Sequence, residues 1–456
     1  MKQLHVFILL FVFGGSVFGQ EVLDLNACIK LALQNNSTLK QREYANESAE
    51  FDVTGSYSNI LPSVDLSLRK GETNIGKSVR VVNDVVTGVD PVTQEPIYGT
   101  ARITTPKQYS KDHSLTLSVN QTLYDGGRWW NQIGQAKIDK KSSSFNLEGE
   151  HNRTILEVQA NYYELLKQIK LYEVNKVAVQ RSEDQLHRTE KMFELGSKAR
   201  LDVYQAKVNL GNDRISLLTQ KNIVEDARRT LNMSMGRDPE TPLEIEKINE
   251  ISPAVPELNA LVDQAMENQP TLKKNEADVE SSSYGVSLAQ ANYLPRLTAY
   301  FQYNRRNSDL ERIYSKLNFD YVWAVGLSLN WNLFNGMGDY VNVQKAKISE
   351  KSAQEEQARY VREMKSKIQG YHDNYQSYLE IIAINEENLE AAKEELRLAE
   401  ERYQIGAGTA LEVREAQVKL TRAEQTLIAA QYNALTTLAQ LDNEIGITAK
   451  KLEEMN

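Results

Sequence analysis

Residues 25–62 read LNACIKLALQNNSTLKQREYANESAEFDVTGSYSNILP, and residues 258–295 read LNALVDQAMENQPTLKKNEADVESSSYGVSLAQANYLP, a gapless match at a constant offset of 233. Leu-Asn-Ala, Thr-Leu-Lys and Leu-Pro recur at equivalent places. Further along, the offset falls to 210: LYDGG at Leu123 matches LFNGM at Leu333, and LGSKARLDVYQAKVNL at Leu195 matches IGAGTALEVREAQVKL at Ile405. The copies therefore differ by one 23-residue insertion. A period of about 220 residues is far longer than any solenoid unit, so the chain is a duplicated half-protein. The repeats are expected at 21–238 and 258–456, joined by a linker at 239–257 that holds Pro239, Pro242, Pro253 and Pro256.

The 456 residues include only 10 Pro and 23 Gly, which favours long uninterrupted elements. Lys2, an apolar run from Val6 to Phe13, and the small residues of GGSVFGQ before Glu21 read as a secretory signal peptide over 1–20. Leu25-Asn26-Ala27-Cys28 has the outline of a lipobox, but Glu21 and Asp24 break the apolar region and the second copy has Leu261 in place of the cysteine. Cys28 is therefore read as an apolar helix position. As the single cysteine it forms no internal disulfide, so packing or oligomerisation must stabilise the exported chain. No later stretch reaches the roughly 18 apolar residues of a membrane helix. The net charge of −9, with no basic cluster, argues against nucleic acid as a partner.

Between these landmarks the periodicity is helical. Val158, Leu165, Tyr172, Val179, Leu186 and Phe193 recur every seventh residue, as do Ile368, Tyr375, Ile382, Leu389, Leu396 and Tyr403 in the second copy. Tyr371, Tyr378, Ala392 and Ala399 follow three residues later, with Asn385 the polar exception. This is a coiled-coil seam. It predicts long helices at about 131–194 and 339–404, each on the order of 100 Å at 1.5 Å per residue. Second helices are expected at about 199–235 and 409–444, after turns at Gly196 and Gly406, giving one helical hairpin per copy.

Four segments switch to two-residue alternation, at about 61–70, 114–123, 295–304 and 324–333. Val64, Leu66 and Leu68 alternate with Ser63, Asp65, Ser67 and Arg69; Leu115, Leu117 and Val119 alternate with Thr116, Ser118 and Asn120. Val325, Leu327, Leu329, Trp331 and Leu333 do the same against Gly326, Ser328, Asn330 and Asn332. Such strands suit a transmembrane β-barrel, and a soluble sandwich sheet alternates identically. Trp129, Trp130, Trp323 and Trp331 all lie in or beside the strands, as an interfacial girdle requires. Four strands cannot close a barrel and lipid tolerates no open edge, so the chain must oligomerise. A dimer would supply eight strands and a trimer twelve, the wider one leaving an open lumen. The 23-residue excess, around Gly71 to Lys111, reads as a long external loop.

The signal peptide, the duplicated halves, Leu-Pro before each first strand, L-[YF]-[DN]-G after each second strand and [FY]-x-x-G-x-x-x-x-L-[DE]-V after each long helix together resemble the TolC family of outer membrane efflux proteins. The last motif stands as Phe193 to Val203 and as Tyr403 to Val413. The resemblance implies an α+β membrane protein, a homotrimer whose twelve strands form an outer-membrane barrel continued by a periplasmic α-helical tunnel. It implies, further, a passive exit duct in the outer membrane, working with a periplasmic adaptor protein and an inner-membrane pump. The Gly196 and Gly406 turns would be adaptor-docking tips, and Asp202, Tyr403, Glu412 and Glu415 a periplasmic gate. The first copy has Gln205 opposite Glu415. The arginine implied at the second turn is replaced by Gly408, so a different latch is expected there.

The gate acids have a structural reading beside the functional one: Thr409 with Glu412 forms a capping box, and Asp202 is an acid in a first helical turn. Glycine at a helix end is by itself a left-handed cap. The five histidines fall in no metal spacing, no nucleophile motif is present, and Gly406-Ala407-Gly408 follows a helix where a phosphate loop follows a strand. Neither catalysis nor a cofactor or metal is supported. The alternative to a duct is an exported coiled-coil scaffold that only anchors.

Overall fold

The computed structural model describes residues 22–247, 257–315 and 317–455; the expected signal segment, with Pro253 and Pro256 of the linker, lies outside the described residues. The first half contains β1 (Val22–Leu23), α1 (Leu25–Asn35), α2 (Ser37–Ser56), β2 (Ser63–Ile75), β3 (Ser78–Val89), β4 (Pro96–Thr105), β5 (Gln108–Tyr124), α3 (Arg128–Glu194) and α4 (Arg200–Ser234). After β6 (Glu244–Ile245) come α5 (Leu258–Asn268), α6 (Pro270–Gln290), β7 (Arg296–Asn307), α7 (Leu310–Tyr314), β8 (Tyr321–Asn330), α8 (Gly338–Gln404), α9 (Ala410–Ile445) and α10 (Thr448–Met455). The duplication is visible element by element, since α3 and α8 are both 67 residues long and start 210 apart.

The chain forms two units. The helical unit holds the described residues up to Ala49, Lys140–Asp278 and those from Ala353 onward. Its core is the heptad seam: Val158, Leu165, Ile368 and Tyr375 are buried. Cys28 is buried in one apolar cluster with Val158 and Leu165, while Leu261 is buried in another with Ile368 and Leu441. The pair offset by 233 thus fills equivalent core positions, and burial pushes the Cys28 thiol up to about 12. The parallel bridge of β1 with β6 is fastened by the Tyr162 hydroxyl, which donates to Glu246 O at 2.7 Å.

The seam does not continue equally to both helix ends. Tyr403 is only 3% exposed, while its equivalent Phe193 is 42% exposed. Polar seam residues are satisfied across the helices, where Gln425 donates to Asn175 at 3.0 Å and Thr426 donates to Asn385 at 3.2 Å. These two asparagines are themselves equivalent, at an offset of 210.

The second unit, Glu50–Asp139 with Val279–Ser352, is built on an antiparallel sheet of order β2-β5-β7-β8. Register turns the alternation seen in sequence into continuous apolar rows. Leu66 faces Leu117, which faces Tyr303, which faces Trp323; Val64, Val119, Phe301 and Val325 make the next row. Ser67, Thr116, Asn304 and Val322 share a row on the other face, with Asn304 donating to Thr116 at 2.9 Å. Leu66, Val64, Val325 and Leu327 are exposed. Both β2 and β8 present a bare edge in this sheet.

β2, β5 and β7 exceed their expected lengths, and the expected loop around Gly71–Lys111 is mostly strand. β2 continues to Ile75, β5 begins at Gln108, and between them β3 and β4 pair as a separate two-stranded sheet. The cause lies in composition: Val79, Val81, Val82, Val85, Val86, Ile97 and Ile103 are β-branched residues that suit an extended backbone. At the hairpin end the Asp90 side chain accepts the Val92 and Thr93 amides at 2.8 and 3.1 Å, an Asx turn. β8 ends at Asn330, short of the expected 333, and Trp331 leaves the ladder to donate its indole N–H to Tyr293 O at 3.0 Å.

Candidate gate at the helical tips

The two hairpin turns are built alike. Gly196 and Gly406 take φ of +74° and +78°, the left-handed conformation that lets amide N–H groups of the turn donate to the last helical carbonyls. Ser197 N donates to Met192 O at 2.9 Å in the first turn, and Ala407 N to Arg402 O at 2.9 Å in the second. A Cβ added at either glycine would meet nothing within 4 Å, so both turns stand open.

The caps that follow differ between copies. Thr409 Oγ1 accepts the Glu412 amide at 3.2 Å. Ala199 has no side-chain oxygen to offer, and the capping there runs one way, from the Ala199 amide to Asp202 Oδ2 at 3.1 Å. Glu412 also faces Arg402, whose Nη2 lies 3.8 Å from Oε2 and donates to Ala407 O at 3.1 Å. Glu415 is exposed, one turn further along α9, and makes no salt bridge among the described residues. Nearby, Lys419 pairs with Glu395 at 2.6 Å; that bond and the Glu415 charge hold its ammonium above the ordinary lysine range.

Tyr403 lies inside a small apolar core with Leu396, Val413, Ala416 and Leu420. Lys198, from the first turn, sits 4.6 Å over its ring, a cation–π contact that joins the two tips. The Tyr403 hydroxyl has no hydrogen-bond partner among the described residues. No hydrogen bond or ion pair joins Asp202, Tyr403, Glu412 and Glu415 to one another. Asp202 is a local cap, Glu412 faces Arg402 and leaves the expected capping box half formed, Tyr403 is a core aromatic, and Glu415 is exposed.

Sequence reasoning missed the groups that make the connections. Arg402 approaches Glu412 although Gly408 occupies the expected arginine position, and Lys198 supplies the contact to Tyr403. Further from the tip, Arg414 of α9 makes a bidentate pair with Asp213 of α4, Nη1 to Oδ2 at 2.7 Å and Nη2 to Oδ1 at 2.9 Å. Its Nη1 also donates to Ser182 Oγ of α3 at 3.2 Å, while the Ser182 hydroxyl donates to Asp213. Arg181 of α3 bridges to Glu424 of α9 at 3.2 Å. The clue in the sequence was a disagreement between copies, because Ser182 occupies the seam position held by Ala392. Clefts of about 490 and 620 Å³ flank Arg414, the first lined by Leu201, Asp202 and Leu411, the second by Arg181, Thr421 and Arg422.

The profile of the outer membrane efflux protein family matches residues 28–237 and 261–446, one segment in each repeat. The chain belongs to that family. It is 21% identical over 343 residues to the outer membrane protein TolC of Vibrio cholerae, covering 74% of this chain and 77% of that protein. With the alkaline protease secretion protein AprF of Pseudomonas aeruginosa it shares 22% over 345 residues, 73% of this chain and 69% of that one. The crystal structure of the Campylobacter jejuni CmeC outer membrane channel superposes with a TM-score of 0.78 at 17% identity, covering 94% of this chain and 88% of that one. The protein is an outer-membrane exit duct. The scaffold alternative is set aside.

Proposed function

We propose that three copies of this chain close one twelve-stranded pore in the outer membrane, and that six hairpin tips meet a periplasmic adaptor of an inner-membrane pump. The observation that carries this is the four-stranded sheet with an apolar exposed face and two bare edges. Each bare strand left in lipid would cost several kcal/mol per unsatisfied backbone group, and pairing β8 of one protomer with β2 of the next removes the edges altogether. Cysteines placed on those two strands are expected to crosslink between protomers in heat-modifiable trimers. Crosslinks confined to one chain would rule out the closure.

At the tips, Asp202, Glu412 and Glu415 act as the gate, with Tyr403 as the buried pivot of the second hairpin. Threefold symmetry would gather nine carboxylates about one axis, where mutual repulsion favours cation binding. Glu412→Ala with Glu415→Ala should raise single-channel conductance in planar bilayers and weaken block by divalent cations. Unchanged traces would leave Glu412 as an acid in the first turn of α9 beside Arg402 and nothing more. A bulky residue at Gly406 should abolish adaptor crosslinking while trimers still assemble; loss of the trimers would assign the glycine to folding. AprF takes its name from protein secretion and the family takes its name from efflux, so either a protein or a small-molecule cargo suits the architecture.

A further inference from the structure

The loop joining β7 to β8 lies at the end of the sheet opposite the α2–β2 and β5–α3 junctions, which is the external end. By register, Arg305 and His113 fall on the same face as Leu117, Tyr303 and Trp323, the face turned to lipid. Yet both are buried, Arg305 at 1% and His113 at 2% exposure. What covers this end is the loop itself. Arg305 donates to Ile313 O at 2.9 Å, to Arg312 O at 2.7 Å and to Ser315 O at 3.1 Å, closing the carbonyl end of α7. Two residues down the strand, the Tyr303 hydroxyl donates to Leu317 O at 2.7 Å. Ile313 is fully buried. The loop therefore folds back down the outside of the wall, beside the stacked rings of Tyr303 and Tyr321, 5.7 Å apart.

A loop that met only water would have no use for large apolar side chains on its surface. Yet Tyr314, Leu317 and Phe319 are exposed, the last two at 61% and 60%, interleaved with exposed Ser315, Asn318 and Asp320, with Glu311 and Arg312 exposed beside Tyr314. Aromatic rings beside a cation, continuous with an apolar transmembrane face, are the composition of the headgroup layer. We propose that the β7–β8 loop is an external lipid anchor: Tyr314, Leu317 and Phe319 contact acyl chains, and Arg312 meets lipid phosphate. Arg305 is the positioning residue that ties α7 to the wall. The inference rests on the apolar face being the lipid face, and one control separates the two.

Nitroxide labels on Leu317→Cys and Phe319→Cys, with Leu327→Cys and Val92→Cys as references, test it in protein reconstituted into phosphatidylcholine–phosphatidylglycerol vesicles. Cys28 is buried, and the native chain carried through the same labelling supplies the blank. Collision with molecular oxygen should exceed collision with a water-soluble nickel chelate at 317 and 319, as at 327, and the ratio should invert at 92. Nickel-dominated collision at 317 and 319 with oxygen-dominated collision at 327 would overturn the anchor and keep the barrel. Shielding from both reagents at 317 and 319 would overturn it too, placing protein over the loop. A nickel-dominated signal at 327 would overturn the lipid face itself.

Discussion

Replacing Arg414 with Met should part the two hairpins of one protomer. The guanidinium makes two charge-assisted hydrogen bonds to Asp213 and one to Ser182, with side chains 23% and 15% exposed on the arginine and aspartate. A hydrogen bond to a charged group contributes about 1.5 to 3 kcal/mol, and breaking a fully buried pair costs about 3 to 5 kcal/mol. Here solvent reaches both ends and Ser182 still donates to the orphaned carboxylate, so the loss falls to about 2 to 3 kcal/mol. That changes the ratio of separated to joined hairpins by roughly 30- to 140-fold. Double electron–electron resonance between labels at the exposed positions Val208 and Val418 reads the ratio, with labelled chains diluted among unlabelled ones. Asp213→Asn should act in the same direction, and the double variant should fall well short of the sum of the two, because both remove one interaction. A change below about threefold in the single variants, or strict additivity, would show that the pair holds nothing together.

The remaining predictions follow from caps and buried groups. Thr409→Ala should destabilise the start of α9 by about 1 kcal/mol, and Ala199→Ser should stabilise α4 by a similar amount, both visible as shifted amide exchange in the first turns. Cys28 should resist alkylation at pH 8 in the folded protein and react once denatured, since its thiol is raised to about 12 by burial; labelling of the native chain would refute that placement. Burial also raises the carboxyl of Asp442 above its ordinary value, against the opposing pull of Lys451 at 2.5 Å. A raised acid favours folding when protonated, so its contribution is present below the unfolded value and lost as pH rises through the folded one. Asp442→Asn should flatten that part of the stability profile just above the ordinary carboxylate range, and an unchanged profile would remove the group from the linkage.

The amino-acid sequence by itself determined what depends on near neighbours: the duplication, the seven-residue seam that buries Leu165 and Ile368, the alternation that gives each strand its two faces, and the glycine turns with their caps. These are short-range patterns, and helix and strand geometry converts them directly into faces. Only the tertiary structure decided which faces meet. Arg414 and Asp213 are 201 residues apart, and nothing local marks them as partners. The same holds for Lys198 over Tyr403, and for Arg305, which reads as a charge on a lipid-facing strand until α7 is seen to cover it. The stretch after Gly71 was legible as β-branched and misread as loop, because pairing supplies the missing half of a strand's hydrogen bonds, and a partner exists only once the chain has turned back on itself.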